Sequence, residues 1–437
     1  EILGALSGAL AWSGADEASW EATDEALSLA SSLGQPRLLV DAIHSGLYAT
    51  VTPENVHDQL ALSRRGLEIA VREGDAFAEL RLTCHVMLRL FVLMDSGALS
   101  RYHARHLELA RRFRQPYYFL LHAGCESALA LCEGHFAEAE AAAEEQRRWA
   151  DINHQDNGAY GIQMFSIRRE QGRLAELRPL LELSTRLNGD RAWTPGLAAV
   201  YAEAGMADQA RMLLDRLAAD HLATLPNDSL VPAVMSYLAD AAFECGHREI
   251  AQQVLSRLEP YRGLAVYTPG VACYGAADRY VGRLYSTLGR HDAAVAAFDA
   301  ALELDQRSGW STWIAHSQFA LAQQLATIGR RAELQRARAL LRDAGATAAS
   351  LGMSALSRRV AALLETLGAT PEISGGLTRR ESEVLRLLCQ GKSNRQIGEE
   401  LHASQHTIAN HVGAILAKTS AANRTEAAMW AHRHGEI

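Results

Sequence analysis

The sequence predicts an all-α chain in two parts, a long array of stacked helical hairpins followed by a small domain of four helices. Three observations lead there. Alanines recur at a fixed 40-residue interval, at Ala30, Ala70, Ala110 and Ala150. The segment 377–437 contains three helix-start signals of the form polar–x–x–Glu/Gln, each opening a stretch with helical periodicity. Composition favours helix: 48% of residues are hydrophobic, 6% are aromatic and only 10 of 437 are proline. Alanine-rich, proline-poor sequence propagates helix, whereas aromatic and β-branched residues favour strand.

In the first part, 1–366, each of the four alanines follows a large apolar residue: Leu29, Ile69, Leu109 and Trp149. The contexts ALSLASSLGQP, GLEIAVREGD, HLELARRFRQP and QRRWADINHQD each read as a helix end followed by a turn. Further turns are marked by Gly97, Gly134, Gly172, Gly205, Gly246, Gly289 and Gly329, at intervals of 33 to 43 residues. Glycine suits the residue after a helix because that position often needs positive φ. The clearest copy is 274–305, where Gly282, Tyr285, Gly289, Ala294, Phe298 and Ala301 match the tetratricopeptide pattern. Small Gly282 and Ala294 let the paired helices approach, and Tyr285 and Phe298 fill the space beside them. Asp278 stands where that pattern has a bulky residue, and Gln306 where it has proline. The repeats are also longer than the roughly 34-residue tetratricopeptide unit, so the hairpins are tetratricopeptide-like with longer helices. An irregular alanine-rich bundle is the other arrangement, and the constant phase of the first copies argues against it. A hairpin cannot bury its apolar face alone, so the copies stack into a solenoid with a concave surface for peptides, proteins or small ligands. Residues 367–376, LGATPEISGG, read as a flexible linker.

The second part, 377–437, opens with a capping box of Thr378 and Glu381, in which each side chain satisfies a free backbone N–H. Val384, Leu385 and Leu388 form the apolar stripe of its first helix, which Gly391 ends. Ser393 and Gln396 form a second capping box, with Ile397 and Leu401 on the buried side. His402 and Ala403 make a tight turn, and Ser404 caps a third helix whose inner face is Ile408, Val412, Ile415 and Leu416. Asn423 and Glu426 open a fourth helix. Helices two and three have helix-turn-helix proportions. The outward face of helix three carries His406, Ala409, Asn410 and Gly413, none of them acidic. A major groove about 12 Å wide admits such a helix. Lys392, Arg395 and Lys418 are the candidate phosphate contacts. Gln405, His406 and Asn410 are the candidate base readers, since asparagine can bond adenine bidentately. Ser404 and Thr407, at the start of the same helix, complete the expected DNA-binding set.

On the blocks LTRRESEVLRLL, GKSNRQIGEEL, SQHTIANHV, ILAK and NRTEA, this segment closely resembles the C-terminal DNA-binding domain of LuxR-type transcription regulators. Three positions depart from the family: Ala409, where Lys or Arg is common; Gly413, where a polar or basic residue is common; and Gly398, usually Ala. The third departure is expected to exchange one small residue for another. The helical array with this domain behind it is similar to the C-terminal part of the large ATP-binding LuxR-family regulators of the maltose-activator type. In those an NTPase module precedes the array. This chain has the last two parts, so either an upstream segment supplies that module or the piece acts without ATP. The resemblance implies a sequence-specific transcription regulator, an activator, bound to double-stranded DNA as a homodimer through helix four, 424–434. It further implies RNA polymerase as a partner and an array that senses a small-molecule or protein inducer and controls assembly. The other reading is a protein-interaction scaffold whose C-terminal domain has lost DNA binding, which Ala409 and Gly413 keep open.

Charge divides unevenly. Residues 377–437 hold eight Lys/Arg and six Asp/Glu, and the remaining 376 hold 35 and 45. The acidic body does not suit DNA, and the small surplus of the C-terminal part makes dimerisation matter. No run of about 18 apolar residues occurs, so no membrane span is expected. The N-terminus, EILGALSGALAW, lacks a basic region and an initiator Met, and reads as an internal cut and not a signal peptide. The cysteines, at 84, 125, 132, 245, 273 and 389, form no C-x-x-C pair and read as reduced thiols of a cytoplasmic protein. Gly391-Lys392-Ser393 resembles the end of a phosphate-binding loop, but Arg386 stands where the first glycine is required. His103 and His106, spaced i, i+3, read as a surface or groove pair in preference to a metal site. No catalytic constellation and no cofactor motif is found, so a non-enzyme is expected.

Overall fold

The computed structural model describes residues 2–12, 16–155, 158–188, 193–223, 225, 230–368, 377, 379–401 and 403–433. The chain divides into two compact units, 1–361 and 362–437. The first opens with four hairpins: α1 (Ile2–Trp12) with α2 (Asp16–Ser32), α3 (Pro36–Gly46) with α4 (Val56–Arg72), α5 (Ala76–Val92) with α6 (Ser96–Phe113), and α7 (Pro116–Glu133) with α8 (Phe136–Asn153). The alanines of the 40-residue period all fall near the end of the second helix of a pair, and Ala30, Ala70 and Ala110 are buried there. Pro36 and Pro116 open α3 and α7 at the first turn, where an N–H would find no intrahelical partner. Asp75 and Asp95 cap α5 and α6, accepting from the N–H groups of Ala78 (2.9 Å) and Ala98 (3.0 Å).

The array continues through α9 (Ala159–Glu170), a 3₁₀ turn at Leu174–Leu177, α10 (Arg178–Asn188), α11 (Thr194–Glu203), α12 (Ala207–Ala219), α13 (Val231–Cys245) and α14 (Arg248–Leu258). It ends with α15 (Ala277–Thr287), α16 (His291–Ser308), α17 (Ser311–Ile328), α18 (Arg331–Leu351) and α19 (Ser354–Gly368). Helix α19 runs two residues beyond the expected end of the array, and most of the expected linker lies outside the described residues. Six of the seven expected turn glycines have positive φ. Gly97 does not: it lies in the first turn of α6, and Met94 takes the left-handed conformation (φ 58°) just before the Asp95 cap. Between α15 and α16, a Cβ added at Gly282 would lie 2.6 Å from the Phe298 ring, so the close approach expected there is real. Asp278, the departure from the tetratricopeptide pattern, is buried and accepts from Nε of Arg262 (2.7 Å) and the N–H of Gly263 (2.6 Å). The position is filled by polar bonds to the preceding loop in place of a bulky side chain.

One element departs from the all-helical expectation. Residues Ala265–Thr268 (β1) and Ala272–Ala276 (β2) form an antiparallel hairpin, pairing Ala265 with Ala276, Tyr267 with Cys273 and Thr268 with Ala272. Every strand residue is buried. The hairpin occupies part of the interior expected to be an open concave surface. Phe91 of α5 stacks on Tyr267 at 4.5 Å. Gln146 of α8 donates to the Gly270 carbonyl (2.9 Å), and Gln163 of α9 to that of Val271 (3.2 Å). The Tyr274 hydroxyl meets that of Tyr237 on α13 (2.5 Å), and Asp305 of α16 accepts from the N–H of Ala276 (3.2 Å). The last helices of the array also touch its middle directly. Thr312 donates to the Leu131 carbonyl (2.7 Å), and Ser354 to that of Gln171 (2.7 Å).

Beside the hairpin lies a buried ionic group. Asp240 accepts from Arg169 (2.5 Å) and from Arg283. Burial pushes its carboxyl up, but the two guanidiniums outweigh burial and hold it at about 2, against an ordinary 3.8. Because the folded-state value is depressed, the stability this group contributes is present above about pH 3.8 and is lost as pH falls towards 2. Asp240→Asn should therefore lower stability near neutrality and flatten the acid limb of a thermal-unfolding profile between these pH values. A second test concerns the hairpin's seat. A Cβ on Gly124 of α7 would stand 1.9 Å from the Gly270 carbonyl oxygen and 2.4 Å from Nε2 of Gln146. Gly124→Ala should lower stability by about 3 kcal/mol, read from urea unfolding, since backbone has to move to accept it.

Candidate nucleic-acid interface

Beyond the end of α19, the second unit is built from four short helices, α20 (Arg379–Cys389), α21 (Asn394–Glu400), α22 (Gln405–Thr419) and α23 (Arg424–Arg433). Their apolar faces meet in one core of Leu377, Val384, Leu385, Leu387, Leu388, Ile397, Ile408, Ile415, Ala427 and Ala431. Leu401, Val412 and Leu416 pack against it, half-buried. Local signals fix the helix starts. Ser393 and Gln396 form the expected capping box, with Gln396 Oε1 accepting from the Ser393 N–H at 2.8 Å. Ser404 accepts from the N–H of Thr407 (3.0 Å), and their hydroxyls bond to each other (2.7 Å). Asn423 accepts from the N–H groups of Thr425 (3.1 Å) and Glu426 (3.0 Å), while the Glu426 carboxylate accepts from the Ala422 N–H (2.8 Å) and from the Asn423 side-chain amide (3.2 Å). Thr378 and His402 lie outside the described residues, and so do the first capping box and part of the expected tight turn.

The turn between α21 and α22 is closed by the N–H of Ala403 donating to the Gly398 carbonyl (2.9 Å). A Cβ at Gly398 would stand 2.6 Å from the Ala403 carbonyl oxygen. The exchange of one small residue for another is therefore not free in this chain: alanine at this position needs the Ala403 backbone to shift. This tight turn sets α22 against α21. It leaves Gln405, His406, Thr407, Ala409, Asn410 and Gly413 exposed, opposite buried Ile408 and Ile415. No hydrogen bond to another described residue engages the side chains of Gln405, His406 or Asn410, so their polar groups are available to a ligand.

Residues 376–431 match the family described as bacterial regulatory proteins, luxR family. The segment is a LuxR-family helix-turn-helix domain. It is 47% identical over 58 residues to the transcriptional regulatory protein LiaR of Bacillus subtilis (strain 168), covering 13% of this chain and 28% of that protein. It is 49% identical over 61 residues to the transcriptional regulatory protein DegU of Brevibacillus brevis, covering 14% and 26%. The chain thus spans less than a third of the length of these relatives. Among solved structures, a circular tandem repeat protein is aligned over 84% of this chain and 94% of its own at 15% identity, with a TM-score of 0.14.

Within the LuxR-family domain the three expected phosphate-contacting cations all have carboxylate partners. Lys392 pairs with Glu400, and Arg395 with Glu399 at 3.0 Å in a well-exposed pair. Lys418 differs. Its Nζ donates to both carboxylate oxygens of Glu381, at 2.8 and 2.6 Å, and Glu381 is buried. Lys418 therefore ties the end of α22 to the start of α20, a role that its place in the sequence does not reveal. Arg380 and Arg424 also escaped sequence reasoning. Arg380 donates to the Leu401 carbonyl (2.5 Å), satisfying the C-terminus of α21. Arg424 is exposed and donates to the Lys392 carbonyl (2.7 Å), which brings a second cation beside Lys392. Lys418→Ala leaves the Glu381 carboxylate buried beside no ammonium. It should destabilise the domain by about 1–3 kcal/mol, less than for a fully buried pair because the Lys418 side chain is about a third exposed. Adding Glu381→Gln should recover part of the loss in denaturant unfolding.

Proposed function

We propose that this chain is a sequence-specific DNA-binding transcription regulator, an activator, in which α22 enters the major groove. The observation that carries the reading is the exposed, unengaged row of Gln405, His406 and Asn410 on a helix held by a capped, packed LuxR-family domain. The relatives over this segment are named as transcriptional regulators. In this reading Asn410, His406 and Gln405 meet base edges, while Lys392, Arg395 and Arg424, with the capping hydroxyls of Ser404 and Thr407, meet phosphates. Lys418 contributes chiefly by holding α22 in place. Helix α23 serves pairing of two copies on DNA, with exposed Met429 as its apolar contact. The protein acts in the cytoplasm, with RNA polymerase as the partner of the assembled form.

The array is the sensor in this proposal. A cavity of about 740 Å³ opens among α7 to α11, lined by Tyr160, Phe165, Leu181 and Trp193, with Arg147 and Arg168 at its polar points. That is the size and character of a small-molecule site. The inducer would act there by changing how the copies assemble. Mobility shift of a genomic DNA pool, with the full chain and with a chain lacking 377–437, tests the core of the reading: retardation should vanish with the segment. On a selected site, Asn410→Ala should cost about 1–3 kcal/mol of affinity and relax preference at one base position, measured by competition binding. Equal affinity and equal preference would remove Asn410 from the base readers.

A further inference from the structure

Two helices of successive hairpins bring four metal-ligating side chains together. Helix α6 supplies His103 and His106, spaced i, i+3, and α7 supplies His122 and Glu126, spaced i, i+4, so each pair shares one face of its helix. Nε2 of His103 lies 3.2 Å from Oε2 of Glu126. One donor atom from each of His103, His122 and Glu126 falls within 4.8 Å of the others, and among the described residues this is the one such group of three. The His103 and His122 rings stack at 4.1 Å, and the His106 ring lies 5.7 Å from that of His122.

The cluster is not explained by its own hydrogen bonds. His106 is fully buried, and neither of its ring nitrogens has a hydrogen-bond partner among the described residues; the same holds for Nδ1 of His122. Buried polar atoms are nearly always bonded, so the unbonded Nδ1 of His122, beside a His106 ring with no bond at either nitrogen, calls for a partner that the surrounding side chains do not supply.

We propose that His103, His122 and Glu126 bind a divalent transition-metal ion, zinc by preference. Two imidazoles and a carboxylate are a recurrent zinc donor set, and bonds of about 2.0–2.1 Å imply donor separations near 3.3 Å in a tetrahedron. The His103–Glu126 separation already has that value, and the remaining donors close on the ion by side-chain rotation. Glu126, half exposed, gives the ion its way in from solvent. The bound ion would fasten α6 to α7, and with them the hairpin α5–α6 to the hairpin α7–α8. A packed cluster of core histidines without this role would retain no metal.

The test uses the full chain, stripped with chelator and dialysed against zinc or cobalt. One equivalent of zinc should be retained per chain, zinc should raise the melting temperature by linkage, and cobalt should give the visible absorption of a tetrahedral nitrogen–oxygen site. Glu126→Gln changes a half-exposed side chain and should leave circular dichroism unaltered while weakening zinc binding by about tenfold or more, at least what loss of an outer-shell partner costs. His103→Gln should do the same and lose the cobalt spectrum. Absence of retained metal in the parent chain would overturn the proposal, and so would variants that bind as tightly as the parent, because the ion would then lie elsewhere.

Discussion

The β-hairpin Ala265–Ala276 is the constraint around which the array is wound. A two-stranded sheet leaves outer edges and a turn whose backbone groups need partners, and in a buried site water cannot supply them. Here side chains from successive repeats do so: Gln146 and Gln163 bond the carbonyls of Gly270 and Val271, and Asp305 takes the N–H of Ala276. Each of these partners belongs to a different helix, so the hairpin and the repeats fix one another. The bonds from Thr312 to Leu131 and from Ser354 to Gln171 then join segments more than 180 residues apart. Purely nearest-neighbour stacking does not generate such contacts. The array is therefore more cooperative than a simple solenoid, and its interior is in part a core.

Much of the fold was legible because its signals are local. The alanine period and the turn glycines report helix ends, and helix ends are set by residues a few positions away. Ser393 with Gln396, and Ser404 with the N–H of Thr407, behave as their spacing implies. The hairpin was missed although a local signal existed. Thr268-Pro269-Gly270-Val271 is a proline–glycine turn between two short apolar runs, closed by the Val271 N–H on the Thr268 carbonyl (3.0 Å) with Gly270 at φ 66°. The repeat copy that runs from 274 masks it, because the second strand overlaps the start of that copy. The contacts that stayed illegible are those across sequence. Nothing near Lys418 announces Glu381, 37 positions earlier, and nothing near Gly398 announces how tightly Ala403 folds back on it.

These long-range pairs bear on how the recognition helix would work. Lys392, Arg395 and Lys418 each have a carboxylate within the domain, and the surplus of cations over 377–437 is only two. The pairs at Lys392 and Arg395 are exposed and hold weakly, so a phosphate can displace their carboxylates at little cost. The Lys418 pair is different: its partner is buried, and withdrawing the ammonium would strand the Glu381 charge. Long-range attraction to DNA is thus modest for one copy, and the geometry of α22 is protected at the expense of a free cation. On the proposed reading, two weak readers gain affinity when held together, since the second half-site is then met at high effective concentration. A regulator built this way responds to whatever governs pairing, and that is the property a ligand site or a metal clamp in the array could influence.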